Sequence, residues 1–159
     1  MIGPVQLGRP EVFGIGYLQE RLDHEFPLVP HMGVAVASAD ERGVVLCAPF
    51  APNANDKGTA FGGSLFSLAV LAGWAFTARF LVARSLDGDA LIQESTIRYL
   101  APARGALRAV LEAPATEATD RFCRMLERAG RGRLRLQVGV FDGNTLAARF
   151  EGWYVAQIR

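Results

Sequence analysis

The residues able to do chemistry gather in one short stretch. Asn53-Ala54-Asn55-Asp56-Lys57-Gly58-Thr59-Ala60-Phe61-Gly62-Gly63 sets amides, a carboxylate and a hydroxyl directly ahead of a long apolar segment. A helix that begins at Gly62 and Gly63 presents unpaired backbone N–H groups at the positive end of its macrodipole, and the missing side chains let a carbonyl oxygen approach closely. Such an end can hold the oxyanion that forms when a carbonyl is attacked. If the attacking group is water, something must also position or deprotonate it. Gly58–Leu86 contains no Asp or Glu, which leaves Asp56 on the loop and Glu94 further along as carboxylate candidates. Glu94 alternates with Ile92 and Thr96 on one face of a strand, where it either pairs with an arginine such as Arg98 or is functional. Ser95 and Thr96 can donate to a bound molecule. Asn53 and Asn55 either serve the site or are turn residues that bond their own backbone. Ser64 and Ser67 have no histidine in the motif to activate them, so Ser64 reads as a first-turn residue able to touch a substrate. His24 and His31 flank Phe26-Pro27-Leu28-Val29-Pro30 without a partner at ligand spacing, so no metal and no cofactor are expected.

The elements that must hold these groups follow from composition and pattern. The chain has 159 residues, half of them apolar, which suits one compact domain over 1–159 with a buried core. Seventeen basic and sixteen acidic residues leave a net charge of +1, so no global field draws in nucleic acid or an anionic membrane, and neither is expected as a partner. The two cysteines, Cys47 and Cys123, lie in apolar or amphipathic stretches without a CxxC partner and read as free thiols of a reducing compartment. The first residues, MIGPVQLGRPEV, lack a basic region followed by an apolar one, so a cytoplasmic protein is expected. Leu65–Ala83 is long enough to span a bilayer, but it carries Ser67, Gly73, Thr77 and Arg79 and opens on glycines. It reads as a helix buried on all faces by protein.

Along the chain, residues 1–31 predict a helix over Pro10–His24 that FPLVP ends, and residues 32–159 predict the core. Met32–Ala39 and Val44–Phe50 read as strands joined by a turn at Asp40-Glu41-Arg42-Gly43. The apolar helix spans about Gly62–Ser85. Leu91–Leu100 and Ala106–Ala113 are strands, Thr119–Ala129 is a short amphipathic helix, and Leu134–Phe141 and Leu146–Val155 form a hairpin about Asp142-Gly143-Asn144-Thr145. Strands and helices do not alternate, which excludes a doubly wound parallel sheet. An α+β fold remains, with one curved antiparallel sheet wrapped around the apolar helix, the hotdog architecture.

The loop Asn55 to Gly63 resembles the N-x-x-G-x-x-H-G-G signature of phenylacetate-pathway (PaaI-type) hotdog thioesterases, with Phe61 where that family has histidine. Thr59-Ala60-Phe61-Gly62-Gly63-Ser64-Leu65, with Ala72-Gly73-Trp74, is more similar still to the thioesterase branch named for the YiiD C-terminal domain. Ile97 to Gly105 resembles the strand ending I-x-Y-x-x-P-x-x-G of hotdog enzymes. The resemblance implies an acyl thioesterase acting on a coenzyme A or acyl-carrier-protein thioester. Gly62 and Gly63 would be the oxyanion donors, and Asn55 would hold the water. Asp56 or Glu94 would be the base, because the carboxylate that the PaaI-type pattern places on the central helix is Val70 here. Asn53, Thr59, Phe61, Ser64, Phe66, Ser95 and Arg104 would meet the substrate, with Phe61 and Phe66 on an acyl tunnel. Sites of this fold usually form between subunits, which implies a homodimer or homotetramer.

Two other readings stand beside it. Val70 suits a hotdog protein that binds an acyl or pantetheine group without hydrolysing it, and a dehydratase or lyase would want a histidine and a carboxylate in the tunnel. Arg121, Arg124, Arg128, Arg131, Arg133 and Arg135 meet only Glu127 within their stretch. They either form a solvated face or receive the phosphates of coenzyme A or an acidic carrier protein.

Overall fold

A 21-residue helix that is apolar on every side must be enclosed on every side, and the rest of the chain does this. The computed structural model describes residues 13–159. Helices α1 (Ile15–Glu25) and α2 (Leu28–Met32) precede strands β1 (Ala35–Asp40) and β2 (Gly43–Ala48), and the central helix α3 (Gly62–Val82) follows. Then come β3 (Gly88–Tyr99), β4 (Leu107–Glu112), helix α4 (Thr116–Ala129), β5 (Arg131–Asp142) and β6 (Thr145–Ile158). The strands form one antiparallel six-stranded sheet in the order β1-β2-β4-β5-β6-β3. α3 touches β2 to β6 and is mostly buried among them. Its membrane-like length and hydropathy are therefore answered by the sheet.

One contact locks the helix to the sheet. The phenol end of Tyr154 of β6 lies against Gly73, where an added Cβ would fall 2.2 Å from it. Its hydroxyl donates to the Val70 carbonyl at 2.9 Å. Burial pushes the phenol's pKa well above its ordinary value, so the ring stays neutral.

Several element boundaries differ from the pattern, and at α2, β1 and β5 the cause is local. Residues 28–32 are helical, and β1 starts at Ala35 rather than Met32. A five-residue helix is all first turn, so Pro30 removes no needed N–H, and Gly33 closes it at φ +69°. The predicted helix start at Pro10 lies outside the described residues. β5 begins at Arg131 rather than Leu134, because Gly132 occupies an inward position and admits the Phe122 ring within 2.8 Å of its missing Cβ. A glycine in an apolar slot hides the alternation.

The two edges of the sheet differ. Gln19 of α1 covers β1, its amide accepting from Val36 N–H at 2.8 Å and donating to the Val34 carbonyl at 3.1 Å. β3 pairs only with β6 and leaves Leu91, Tyr99 and Leu100 about half exposed or more.

Replacing Gly73 with Ala should overpack the helix–sheet joint. The gain in helix propensity is about 1 kcal/mol, and the expected net loss is about 1–3 kcal/mol, read as a lower Tm. An unchanged or raised Tm would show that Tyr154 moves freely.

Candidate active site

The loop between β2 and α3 is built by its own amides. Asn53 is almost fully buried, and its Nδ2 donates to the carbonyls of Met32 and Pro49, both at 2.8 Å. It thereby ties α2 to the end of β2. Its Oδ1 is buried without a partner among the described residues. The Asn53 carbonyl in turn accepts the Phe61 N–H at 2.7 Å. Asn55 folds the tip: Oδ1 accepts from Lys57 N–H at 2.8 Å and Thr59 N–H at 3.1 Å, while Nδ2 donates to Thr59 Oγ1 at 2.8 Å. Asp56 at the tip is exposed and pairs with Lys57 at 2.8 Å.

This scaffold presents the start of α3. Of the first N–H groups of the helix, Phe61 donates to Asn53 and Ser64 to the Phe61 carbonyl. Among the described residues the N–H groups of Gly62 and Gly63 have no acceptor. Beside them is a cavity of about 370 Å³ lined by Ala60, Gly62, Leu65, Tyr99, Leu100 and Pro102. The turn after β3 forms its other wall, held to the loop by Ala60 N–H donating to the Ala103 carbonyl at 2.8 Å. Both motifs singled out from the sequence thus meet at one place.

Two aromatic rings use the glycines. An added Cβ on Gly62 would lie 3.3 Å from the Tyr99 ring, whose hydroxyl donates to the Gly62 carbonyl at 3.0 Å. At Gly63 it would lie 2.3 Å from Phe61, a ring 56% exposed at the mouth. Arg104 comes to the same loop, its Nη1 donating to the Gly58 carbonyl at 3.4 Å. Asp142 fixes that turn by accepting from Arg104 N–H at 2.8 Å and Gly105 N–H at 3.2 Å.

Other candidates are placed elsewhere. A bulge between Ile92 and Glu94 shifts the alternation, so Ile92 faces Tyr154 on the inner side, whereas Glu94 stands opposite Trp153 on the outer side. The expectation that Glu94 shares a face with Ile92 is therefore corrected: within one chain it lies on the outer face of the sheet, the one opposite α3. Thr96 is likewise outward, opposite Glu151, while Ser95 lies inward opposite Gly152. Phe66 is half-buried and packs edge-on against Phe150 of the core at 5.8 Å between ring centres. Ser64 is half-buried in the first turn, and His24 and His31 are exposed on α1 and α2.

Comparison with known proteins decides the lineage. Residues 15–158 match the model of the family described as "Putative thioesterase (yiiD_Cterm)". The chain belongs to this family. Its fold is that of hotdog thioesterases, as the element order implied. A Chlorobaculum tepidum protein of unknown function is 28% identical with a TM-score of 0.89, covering 98% of this chain and all of its own. A Shewanella oneidensis protein described as a putative thioesterase is also 28% identical, with a TM-score of 0.81 over 91% of this chain and 97% of its own. A Pseudomonas aeruginosa protein at 20% identity shares the fold with a TM-score of 0.76 over 91% and 95% of the two chains.

Sequence reasoning passed over Tyr99 and Asp142. Tyr99 sits inside the quoted strand motif, and that was its signal. Asp142 looked like an ordinary hairpin residue, and only the fold brings it to Arg104.

Asn53→Ala should strand the buried Met32 carbonyl, free the Pro49 carbonyl, and cost about 1–3 kcal/mol, measured by denaturant unfolding. A midpoint unchanged from the parent would remove the strut assigned to this side chain.

Proposed function

We propose that the protein hydrolyses an acyl thioester of coenzyme A or an acyl carrier protein, in the cytoplasm. The observation that carries this reading is the pair of acceptor-free N–H groups at Gly62 and Gly63 beside an apolar cavity. A thioester carbonyl seated there gains a pair of backbone donors for its oxygen at the positive end of the helix. Water adds to the carbonyl carbon, the oxyanion is held by the helix start, and collapse breaks the C–S bond to release the thiol and the acid.

The proton of the water needs an acceptor. Both lone-pair directions of Asn55 Oδ1 are taken by backbone N–H groups, so Asn55 acts as a donor to the water through its remaining Nδ2 hydrogen. Asp56, on the same loop, is the base of one chain. Glu94 serves only if a second subunit brings it across. The open β3 edge, long and with Leu91 and Tyr99 exposed where β1 is covered, is where such a subunit would pair to make a dimer. Phe61, at the mouth, lies over the entering acyl chain, and Arg104 takes a phosphate of the carrier arm.

A non-hydrolysing acyl-binding protein is the second reading, favoured by the apolar Val70 and the absence of any carboxylate in α3.

Free-thiol release from acyl-coenzyme A and acyl-carrier-protein panels tests the proposal. Gly62 is the first helical residue and Phe61 before it is extended at ψ 131°, so Gly62→Pro deletes one N–H at a position that tolerates proline. Turnover should fall about 10²–10³-fold with the fold intact by circular dichroism. Full activity in that variant would refute the oxyanion role, and saturable binding without any release from the parent would establish the second reading. If Asp56 is the base, Asp56→Asn should abolish turnover and Glu94→Gln leave it unchanged; if a second subunit brings Glu94 to the site as the base, the two outcomes should be reversed. Light scattering should give twice the chain's 17.2 kDa; a monomeric mass would remove both the pairing and Glu94.

A further inference from the structure

The β-sheet is incomplete at one internal position. β4 and β5 pair only from Leu107↔Asp142 to Val110↔Gly139. Beyond that β4 leaves with β2, and α4 is inserted between the two strands in the chain. Residues 133–138 of β5 pair with β6 on one side. On the other side, no protein group among the described residues bonds their backbone N–H and C=O groups. This length of strand is an edge without being at the end of the sheet, and every second residue along it turns both backbone groups into the gap.

The gap opens into a groove of about 740 Å³, on the outside of the sheet and separate from the cavity beside Gly62. Its lining carries four guanidiniums, Arg121, Arg133, Arg135 and Arg149, against one carboxylate, Glu112. Arg135 already pairs with Glu151 at 2.5 Å. Arg133 lies over the Trp153 ring at 4.4 Å, and neither it nor Arg121 nor Arg149 has a carboxylate partner among the described residues. Ala113, Pro114, Ala115 and Ala118 give the facing wall small side chains, leaving room for a backbone. Open ladder groups, a groove alongside them and outward cations at alternate positions of β5 specify one kind of occupant.

We propose that this groove docks an extended acidic segment of another protein, added as a strand alongside residues 133–138 of β5. In that geometry the ladder supplies affinity, and side chains directly across from Arg133 and Arg135 sit close enough to pair. The segment therefore carries Asp or Glu at every second residue, with small or apolar residues between them facing the alanine wall. The inference is independent of hydrolysis at Gly62.

Fluorescence anisotropy with a labelled six-residue peptide alternating Glu and Val tests it. Binding should saturate, weaken as salt rises, and fall at least tenfold when Lys replaces Glu in the peptide. It should fall as far when alternate peptide nitrogens are methylated, because methylation removes strand donors and leaves the charges. In the protein, Arg133→Ser should weaken binding about tenfold. Ala115→Trp, on an exposed residue at the start of α4, should abolish it while leaving the circular dichroism and thiol release unchanged. Equal binding of the methylated peptide would reduce the groove to a charged surface and overturn the proposal. So would equal binding by Ala115→Trp, no binding by the parent, or a loss of oligomer mass in Ala115→Trp, which would make the occupant a second copy of this chain.

Discussion

The need to hide α3 governs the whole molecule. A helix apolar on all sides has no face it can leave in water, so five of the six strands bend around it rather than packing on one side. The close approach of Tyr154 to Gly73 shows how tightly this is done: the phenol end of the ring stands where a Cβ would otherwise be. The same enclosure puts the start of α3 at the rim of the sheet, where the β2–α3 loop and the turn after β3 converge on it.

Site chemistry and fold mechanics use the same atoms there. Gly62 and Gly63 keep free N–H groups while those of Phe61 and Ser64 donate to the Asn53 and Phe61 carbonyls, and the bareness of the glycines admits the Tyr99 and Phe61 rings. Asn53 and Asn55 spend most of their hydrogen-bonding capacity on the loop. A polar loop that must hold a helix start still has few spare groups, so the base of the reaction is sought at the exposed tip or across a subunit boundary. Charge is distributed just as unevenly. Near-neutrality overall coexists with the guanidinium-lined groove between α4 and β5.

Apart from α2, the sequence by itself determined the types of the main elements, their order and the two motifs that meet at the site, because each rests on local chemistry: alternation for strands, a long apolar run for α3, Asp-Gly and Gly-Asn for the hairpin. Where glycine stood in for an apolar residue, as at Gly132, or where a helix was too short for proline to matter, as at Pro30, the pattern misplaced a boundary. Tertiary structure alone decided which side chains share a place. A bulge one residue long sent Glu94 outward, since side chains in a strand alternate with period two and a single extra residue reverses every face beyond it. Asp142 reached Arg104 from 38 residues away, and the sheet lost its ladder between β4 and β5. No local pattern encodes these, because each depends on which strands become neighbours after the chain has closed around its helix.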